Sequence, residues 1–268
     1  MGDTVALIGL GLLGSALNRR GFDVAPDRLR QHTERGGFAA RSPADAARGA
    51  TVVMTCLMTA DIVRDVLLGP DGALEVATPG VVVIDCSTIH PDASAALAAE
   101  LGRRGIAMLD APVGGSSGQA RRREAPVVVG GDRAVFERGR PFLGAIAQRA
   151  RITSARAARA PGRSSSSTWC LGSTAWPWRK ASSSACARAS MDVKGERMLD
   201  GDYEPEGKLA QHLKDVELML EVGHAAGAPL LATALHRQLL LAGVAGGRGE
   251  RDNSSIMAVL RALIAAPR

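Results

Sequence analysis

Five short apolar runs in the first half of this 268-residue chain constrain its fold more than any other feature. Ala-rich stretches of helical character, PADAARGA and HPDASAALAAELGRRG, lie between some of them. Strands that are apolar on both faces and alternate with helices are typical of a parallel sheet covered on both sides. The sequence therefore predicts an α/β fold, and the runs are TVALIGLG (4–11), ATVVMTCL (50–57), GVVVIDCS (80–87), GIAMLDAP (105–112) and APVVVGG (125–131).

The first run ends in a glycine-rich turn, in which Gly9, Gly11 and Gly14 fit the pattern G-x-G-x-x-G. Between a strand and a helix, the first glycine allows a tight turn and the second lets the backbone approach a pyrophosphate. The third lets the helix pack closely on the strand. The helix N-terminus then offers N–H groups to the phosphates. A turn of this composition can be purely structural, but its place after a first strand favours dinucleotide binding.

The acidic residue that receives the ribose hydroxyls is expected about 20 residues beyond these glycines. Asp23 is the natural candidate, although it follows Gly14 by only nine residues. A helix of several turns and a second strand cannot both fit into the intervening SALNRRGF. Either Asp23 has another role, or about ten residues have been lost from the first helix and second strand. We favour the loss.

The overall composition, 46% hydrophobic and 22% charged, is typical of a globular protein. The sequence contains no run of 18 apolar residues, so we expect no membrane span. Asp3 stands where a signal peptide has basic residues. We therefore expect a cytoplasmic protein with no membrane partner. The four cysteines and five histidines lack paired spacing, so we expect neither a disulfide scaffold nor a metal site.

Residues 162–190, GRSSSSTWCLGSTAWPWRKASSSACARAS, differ from the rest of the chain. They contain all three tryptophans and nine serines but no acidic residue. Between Glu137 and Asp192 there are ten Arg or Lys and no acid, so this part alone makes the net charge positive, at +6. A basic patch can bind phosphate backbones, but no nucleic-acid motif accompanies this one, and we expect no nucleic-acid partner. A genuine segment of this kind would be a disordered linker or basic arm.

Seven segments together resemble the β-hydroxyacid dehydrogenase family, which includes 3-hydroxyisobutyrate dehydrogenase and tartronate semialdehyde reductase. The resemblance implies a Rossmann-type domain at 1–150 and a smaller, all-helical domain at 194–268. The aberrant residues 151–193 stand in place of the helix that joins the domains. The seven segments, in the family's order, are GLGLLG (9–14), CLMTADIV (56–63), DCSTIHP (85–91), DAPVGGSSGQA (110–120), VVVGG (127–131), KLAQHLKDVELML (208–220) and DNSSIMAVL (252–260).

The resemblance also implies the reaction: a nicotinamide cofactor takes hydride from the hydroxyl-bearing carbon of a small 3-hydroxy acid. Leu57, Met58 and Thr88 fall where the family lines the cofactor, and Lys214 matches a late lysine near the nicotinamide. Lys214 could equally be a solvated helix lysine, because its helix already has an apolar stripe. The stripe consists of Leu209, Leu213, Val216 and Leu220.

In the family, the loop after DAPV holds the substrate carboxylate with backbone N–H groups and a serine. Here that loop is Gly114, Gly115 and Ser116, with Gly114 where the family usually has serine. It could also be a plain Gly/Ser loop.

NAD is favoured if Asp23 receives the ribose, because a carboxylate repels a 2′-phosphate. The nearby Arg19 and Arg20 could bind that phosphate, so NADP remains an alternative cofactor. A homo-oligomer is also compatible with the sequence.

The family's proton-shuttling lysine lies in a K-x-x-x-N pattern on the interdomain helix, where burial and neighbours can lower the pKa of a lysine towards neutral. That helix should start near Ser164, but the sequence there is SSSSTW, and the catalytic residue is unknown. Reading the gene one base earlier accounts for this. Every residue-plus-Trp pair then becomes Leu, Met or Val, and suitable serine codons give KLVVNLV from Ser164 to Cys170. Because the catalytic lysine and much of the interdomain helix are missing, we expect this chain to have little or no dehydrogenase activity.

Three hypotheses follow for the function. The first is a dehydrogenase by descent with a frameshifted middle segment and a second deletion just before residue 194. The second is a pseudoenzyme that binds the cofactor through its glycine turn. The third is an interaction protein whose basic residues 138–191 bind an acidic partner. We favour the first.

Overall fold

The computed structural model describes residues 4–11, 19–114, 117–147, 151–152 and 194–265, with only the backbone of residues 151, 152 and 265. The chain divides into two compact units, Met1–Ser166 and Ser167–Arg268. The division falls inside the segment 151–193 that the composition sets apart. The domain boundaries at 150 and 193 stay predictions.

Strands and helices alternate through the first unit. In chain order its elements are β1 (Val5–Ile8), β2 (Arg20–Phe22), α1 (Pro26–Glu34), β3 (Phe38–Ala39), α2 (Pro43–Ala47), β4 (Val52–Thr55), α3 (Ala60–Leu68), β5 (Val82–Asp85), α4 (Pro91–Arg103), β6 (Ala107–Asp110), α5 (Ser117–Arg121), β7 (Val128–Val129), α6 (Arg133–Leu143) and β8 (Arg151–Ile152).

Six of these strands form one parallel sheet in the order β3-β2-β1-β4-β5-β6. This is the strand order of the doubly wound dinucleotide-binding fold. The predicted α/β class is therefore confirmed. The register places Thr55, Asp85 and Asp110 side by side at the carboxyl ends of three neighbouring strands.

Both faces of this sheet are buried, which explains the uninterrupted apolar runs. Successive residues of a strand enter opposite core clusters, because side chains alternate between the two faces. Val5 and Leu7 pack in one cluster, and Ala6 and Ile8 pack in the other. The middle strands follow the same rule, with Val52, Met54, Val82 and Ile84 on the first face and Val53, Val81 and Val83 on the second.

The strand β2 bears on the expectation that a helix of several turns and a second strand cannot both fit into SALNRRGF. Residues 20–22 of this segment form a short strand that pairs in parallel with β1, with Ala6 opposite Arg20. Residues 15–18 lie outside the described residues, so the expectation stays a prediction. The helix expected after Gly14 lies outside the described residues, and the loss of about ten residues stays a prediction.

The last apolar run, 125–131, does not join the parallel sheet as expected. Gly130 and Asp110 exchange two backbone hydrogen bonds of 2.7 and 3.0 Å in an antiparallel bridge, and Val127 faces Val113 in the same way. The strand β7 then pairs in parallel with β8 in a separate two-stranded sheet. Among the described residues between β6 and this run, only the five-residue helix α5 is helical, which is too little for a full parallel crossover.

The second unit is helical in its described part, as predicted. Its helices are α7 (194–200), α8 (Leu209–Ala225), α9 (Leu231–Gly243) and α10 (Ile256–Ala265). Leu209, Leu213 and Val216 are buried in its core and Leu220 packs against it, so the stripe predicted for α8 is confirmed. Within the described ranges, no helix is both long and apolar enough to cross a membrane.

Candidate functional site

The carboxyl ends of β1 and β4 are the switch point of the first unit's sheet, where open α/β sheets have a ligand-binding crevice. The chain leaves β1 towards β2 on one side, whereas β4 lies on the other side, so the connections after these two strands diverge. Ligands of open α/β sheets bind at such a switch point. The ends of both strands are joined there by a 3.0 Å hydrogen bond from the Cys56 N–H to the Ile8 carbonyl.

Gly9 makes the sharp turn at the end of β1. Its φ of +94° is unfavourable for a residue with a side chain. A Cβ at this position would collide with the carbonyl oxygen of Cys56 and lie 3.0 Å from Cδ2 of Leu57. Around Gly11, by contrast, the Arg28 guanidinium is the only group among the described residues that comes within 4 Å of such an atom, at 3.3 Å. Gly9 and Gly11 thus have the geometry expected of a phosphate-binding turn, while Gly14 lies outside the described residues.

Asp23 directly follows β2 and its side chain is buried against the glycine turn. Its Oδ2 accepts a 2.8 Å hydrogen bond from the Leu10 N–H, and its Oδ1 accepts one of 2.9 Å from the Ala25 N–H. Arg28 makes a salt bridge of 3.3 Å to the same Oδ2. A carboxylate has about four acceptor positions, so about one remains for a ribose hydroxyl. The structure therefore brings Asp23 to the backbone between Gly9 and Gly11.

The arginine beside this carboxylate is not one of the two expected from sequence. Arg20 begins β2, at the opposite end from Asp23, and its guanidinium lies 3.1 Å from Asp45 and stacks over Phe38. Arg28, on α1, takes the place beside Asp23, with 42% of its side chain exposed. This contact could not be predicted from the sequence, because nothing in PDRLR distinguishes Arg28, which contacts Asp23, from Arg30.

The loops after β4 and β5 contain the other residues predicted to line the cofactor. The Leu57 side chain lies against Gly9, and Met58 is 46% exposed. Thr88 is half-buried in the loop after β5. The two loops are joined because the Leu57 N–H donates a 2.9 Å hydrogen bond to the Ser87 hydroxyl.

Asp85, which sequence reasoning did not single out, lies beneath these loops. It is fully buried, and its Oδ1 accepts hydrogen bonds from the Thr55 hydroxyl at 2.8 Å and the Ser87 N–H at 3.0 Å. Burial raises the pKa of Asp85 to about 6, although hydrogen bonds from Ser87 and Thr55 oppose the rise. A strand-end acid in DCST was the only available signal.

The predicted substrate loop is only partly described. Gly114 is buried, and its N–H donates a 2.9 Å hydrogen bond to the Pro126 carbonyl. This N–H is therefore already used within the fold. Gly115 and Ser116 lie outside the described residues.

In the second unit, Lys214 lies on α8 with its side chain 24% exposed. Its Nζ lies 3.0 Å from Oδ1 of Asp215, and burial raises the pKa of that carboxyl although Lys214 opposes the rise. Asp252, in the DNSS motif, is fully buried and binds Lys194 at 2.7 Å. Burial opposes its ionisation, but hydrogen bonds from Lys194 and Ser254 lower the pKa of Asp252 to about 2.

Comparison with known proteins matches both parts of the chain to one group of oxidoreductases. Residues 4–155 match the NAD binding domain of 6-phosphogluconate dehydrogenase, and residues 180–260 match the NAD-binding domain of NADP-dependent 3-hydroxyisobutyrate dehydrogenase. The first unit is therefore an NAD(P)-binding domain. Neither match includes residues 156–179.

Three relatives span nearly the whole chain. The 3-sulfolactaldehyde reductase of Escherichia coli and the L-threonate dehydrogenase of Cupriavidus necator are each 28% identical over 284 positions, covering 96% of this chain and 95% and 96% of theirs. A crystal structure of 3-hydroxyisobutyrate dehydrogenase from Salmonella typhimurium is 25% identical, with a TM-score of 0.77, and covers 96% of this chain and 100% of that one. Since 96% of this chain is about 257 residues, roughly 27 of the 284 positions have no counterpart here.

Proposed function

Because the chain belongs to the β-hydroxyacid dehydrogenase family, we propose that it derives from an NAD(P)-dependent enzyme that oxidises small 3-hydroxy acids or reduces the matching aldehydes. The observation that carries this proposal is the crevice at the switch point, where Gly9, Gly11 and Asp23 meet. The hydroxy-acid and aldehyde substrates in the names of its relatives support the substrate class.

The described residues fit a dinucleotide, because among them only the Arg28 side chain comes within 4 Å of a Cβ placed on Gly11. Gly9, Gly11 and Gly14 would hold the pyrophosphate, and Asp23 would accept from the adenosine ribose. The nicotinamide supplies or accepts hydride when bound. The remaining residues of the cofactor site would be Leu57, Met58, Thr88 and Lys214. NAD is favoured over NADP because Asp23 repels a 2′-phosphate.

The substrate carboxylate would bind the loop after β6. The Gly114 N–H already donates to the Pro126 carbonyl, so the hydrogen-bond donors to the substrate carboxylate would come from Gly115 and Ser116. Gly114 would then contribute close backbone approach instead of a hydrogen bond.

We further propose that residues 151–193 are frameshifted and that this chain is impaired as an enzyme. The unmatched residues 156–179 and the roughly 27 alignment positions without a counterpart support the frameshift and the accompanying deletions. Without a lysine in the K-x-x-x-N pattern, the chain lacks the group that the family uses to move the hydroxyl proton during hydride transfer.

The test compares this chain with a repaired one in which residues 151–193 are replaced by the reading one base earlier, which gives KLVVNLV at 164–170. NADH binding is followed by nicotinamide fluorescence, and turnover by NADH formation from 3-hydroxyisobutyrate, L-threonate and L-serine. We expect both chains to bind NADH and only the repaired chain to turn over. Turnover by the original chain that is lost in Lys180→Ala would refute the impairment. If both chains bind NADH and neither of them turns over a substrate, the pseudoenzyme hypothesis is favoured.

A further inference from the structure

A buried carboxyl joins the ends of two neighbouring strands, β4 and β5, beside the switch point of the sheet. Asp85 is the last residue of β5, and Thr55 is the last residue of its neighbour β4. The Thr55 hydroxyl donates a 2.8 Å hydrogen bond to Oδ1 of Asp85. The same oxygen accepts a 3.0 Å hydrogen bond from the Ser87 N–H in the following loop. One atom therefore fixes one strand end to the other strand and to the loop beyond it.

The connection continues back to the first loop through Ser87. Its hydroxyl accepts a 2.9 Å hydrogen bond from the Leu57 N–H, two residues beyond Thr55. Thr55, Asp85, Ser87 and Leu57 thus form a continuous set of contacts across the two loops, which we term the strand-end network. Met58 and Thr88 each directly follow one of its members.

Stability alone is a poor reason for a carboxyl at this position. Burying an ionisable group costs free energy unless its hydrogen bonds are complete. Oδ2 of Asp85 is buried, and within the described residues it has no hydrogen-bond partner. A buried group that is only partly satisfied calls for another explanation, such as a role in a functional site.

We propose that Asp85 is a positioning residue for cofactor binding. Through Thr55 and Ser87 it holds the loops after β4 and β5 in the arrangement in which Leu57, Met58 and Thr88 would contact the cofactor. This inference rests on the proposed function, because those contacts belong to it.

A matched control lies at the opposite ends of the same two strands. Thr78, before β5, donates a 2.8 Å hydrogen bond to the carbonyl of Ala50, before β4. Thr55→Val and Thr78→Val therefore each remove one hydroxyl that joins the β4 and β5 segments. Only the first lies at the crevice.

The experiment titrates the full-length chain and the variants Thr55→Val, Ser87→Ala and Thr78→Val with NADH and NADPH, and records the melting temperature of each. We expect Thr55→Val and Ser87→Ala to raise the Kd of the preferred cofactor at least fivefold. Thr78→Val should lower the melting temperature by a similar amount but change the Kd less than twofold.

Substitution of the carboxyl itself completes the test. Asp85→Asn retains an oxygen acceptor for Thr55 and Ser87, so its Kd should stay within threefold of the original, whereas Asp85→Ala should weaken binding tenfold or more. Equal Kd changes in Thr55→Val and Thr78→Val would reduce Asp85 to a structural role and overturn the proposal. An original chain that binds neither NADH nor NADPH would overturn the proposed function as well, and would be recognised before any variant is compared.

Discussion

At the scale of single residues, Gly9 combines two constraints that can be separated by substitution. Gly9→Ala meets both the left-handed backbone and the Cys56 carbonyl, whereas Gly80→Ala meets only a similar backbone (φ +83°), with nothing within 4 Å of the new atom. The backbone alone costs roughly 1–2 kcal/mol. We expect Gly80→Ala to lose about that much unfolding free energy and to keep its NADH affinity. Gly9→Ala should lose more and weaken NADH at least tenfold, as measured by urea unfolding and fluorescence titration. Equal affinities in the two variants would contradict the phosphate-turn role.

Asp23 and Arg28 form the pair that we expect to set the choice between NAD and NADP. Asp23→Ser removes the carboxylate that repels a 2′-phosphate and frees the Arg28 guanidinium, now 3.3 Å from it, to bind that phosphate. We expect the ratio of NADPH to NADH affinity to rise at least tenfold. The control is Asp27→Ser, because Asp27 is 76% exposed and pairs with Arg30 on the same helix. An unchanged ratio in Asp23→Ser would show that Asp23 serves only to brace the turn.

At the scale of elements, the sequence predicts what depends on local pattern and misses what depends on distant partners. The strands β1, β4, β5 and β6 were predictable because burial on both faces requires uninterrupted apolar residues. The strand β2, RGF, has no such run, since only Gly21 is fully buried in it. Likewise, Gly9 and Asp23 belong to a local motif, but the significance of Asp85 depends on Thr55, 30 residues earlier.

The helices α8 and α9 meet at a pair of histidines that should make the second unit sensitive to acid. Nε2 of His212 lies 2.9 Å from Nε2 of His236. Burial, with His236 and Lys194 nearby, lowers the pKa of His212 to about 4, and burial lowers that of His236 as well. The unfolded chain therefore binds more protons between about pH 6.5 and pH 4. Stability is fully present above this window and is lost as the pH falls through it.

We expect the unfolding free energy to fall between pH 7 and pH 4.5 by roughly 2 kcal/mol because of His212. The measurement is urea unfolding followed by circular dichroism at both pH values. His212→Gln should remove most of this pH dependence, whereas His224→Gln, on the exposed side of the same helix, should leave it unchanged. The same pH dependence in His212→Gln and the original chain would exclude the histidine pair as its cause.

At the scale of the whole molecule, three independent boundaries fall in the same part of the chain. The composition changes at residues 162–190, the two family matches leave out 156–179, and the two compact units divide between Ser166 and Ser167. On either side, each unit has its own apolar core: two clusters around the sheet and one between helices. The folded parts thus keep the family pattern up to the point where the composition departs from it.

The amino acids present between these parts decide what the molecule can do, and tandem mass spectrometry of a tryptic digest identifies them directly. The sequence as given requires the peptide SSSSTWCLGSTAWPWR, bounded by Arg163 and Arg179. We expect instead a Val/Leu-rich peptide that begins after a new lysine, because shifting the frame turns each residue-plus-Trp pair into an aliphatic residue or methionine. Peptides from residues 64–103 serve as the control, since both frames share them. Detection of SSSSTWCLGSTAWPWR would establish the segment as genuine. The proton-shuttling lysine would then be absent from the protein, leaving a cofactor-binding molecule without the group that moves the substrate's proton.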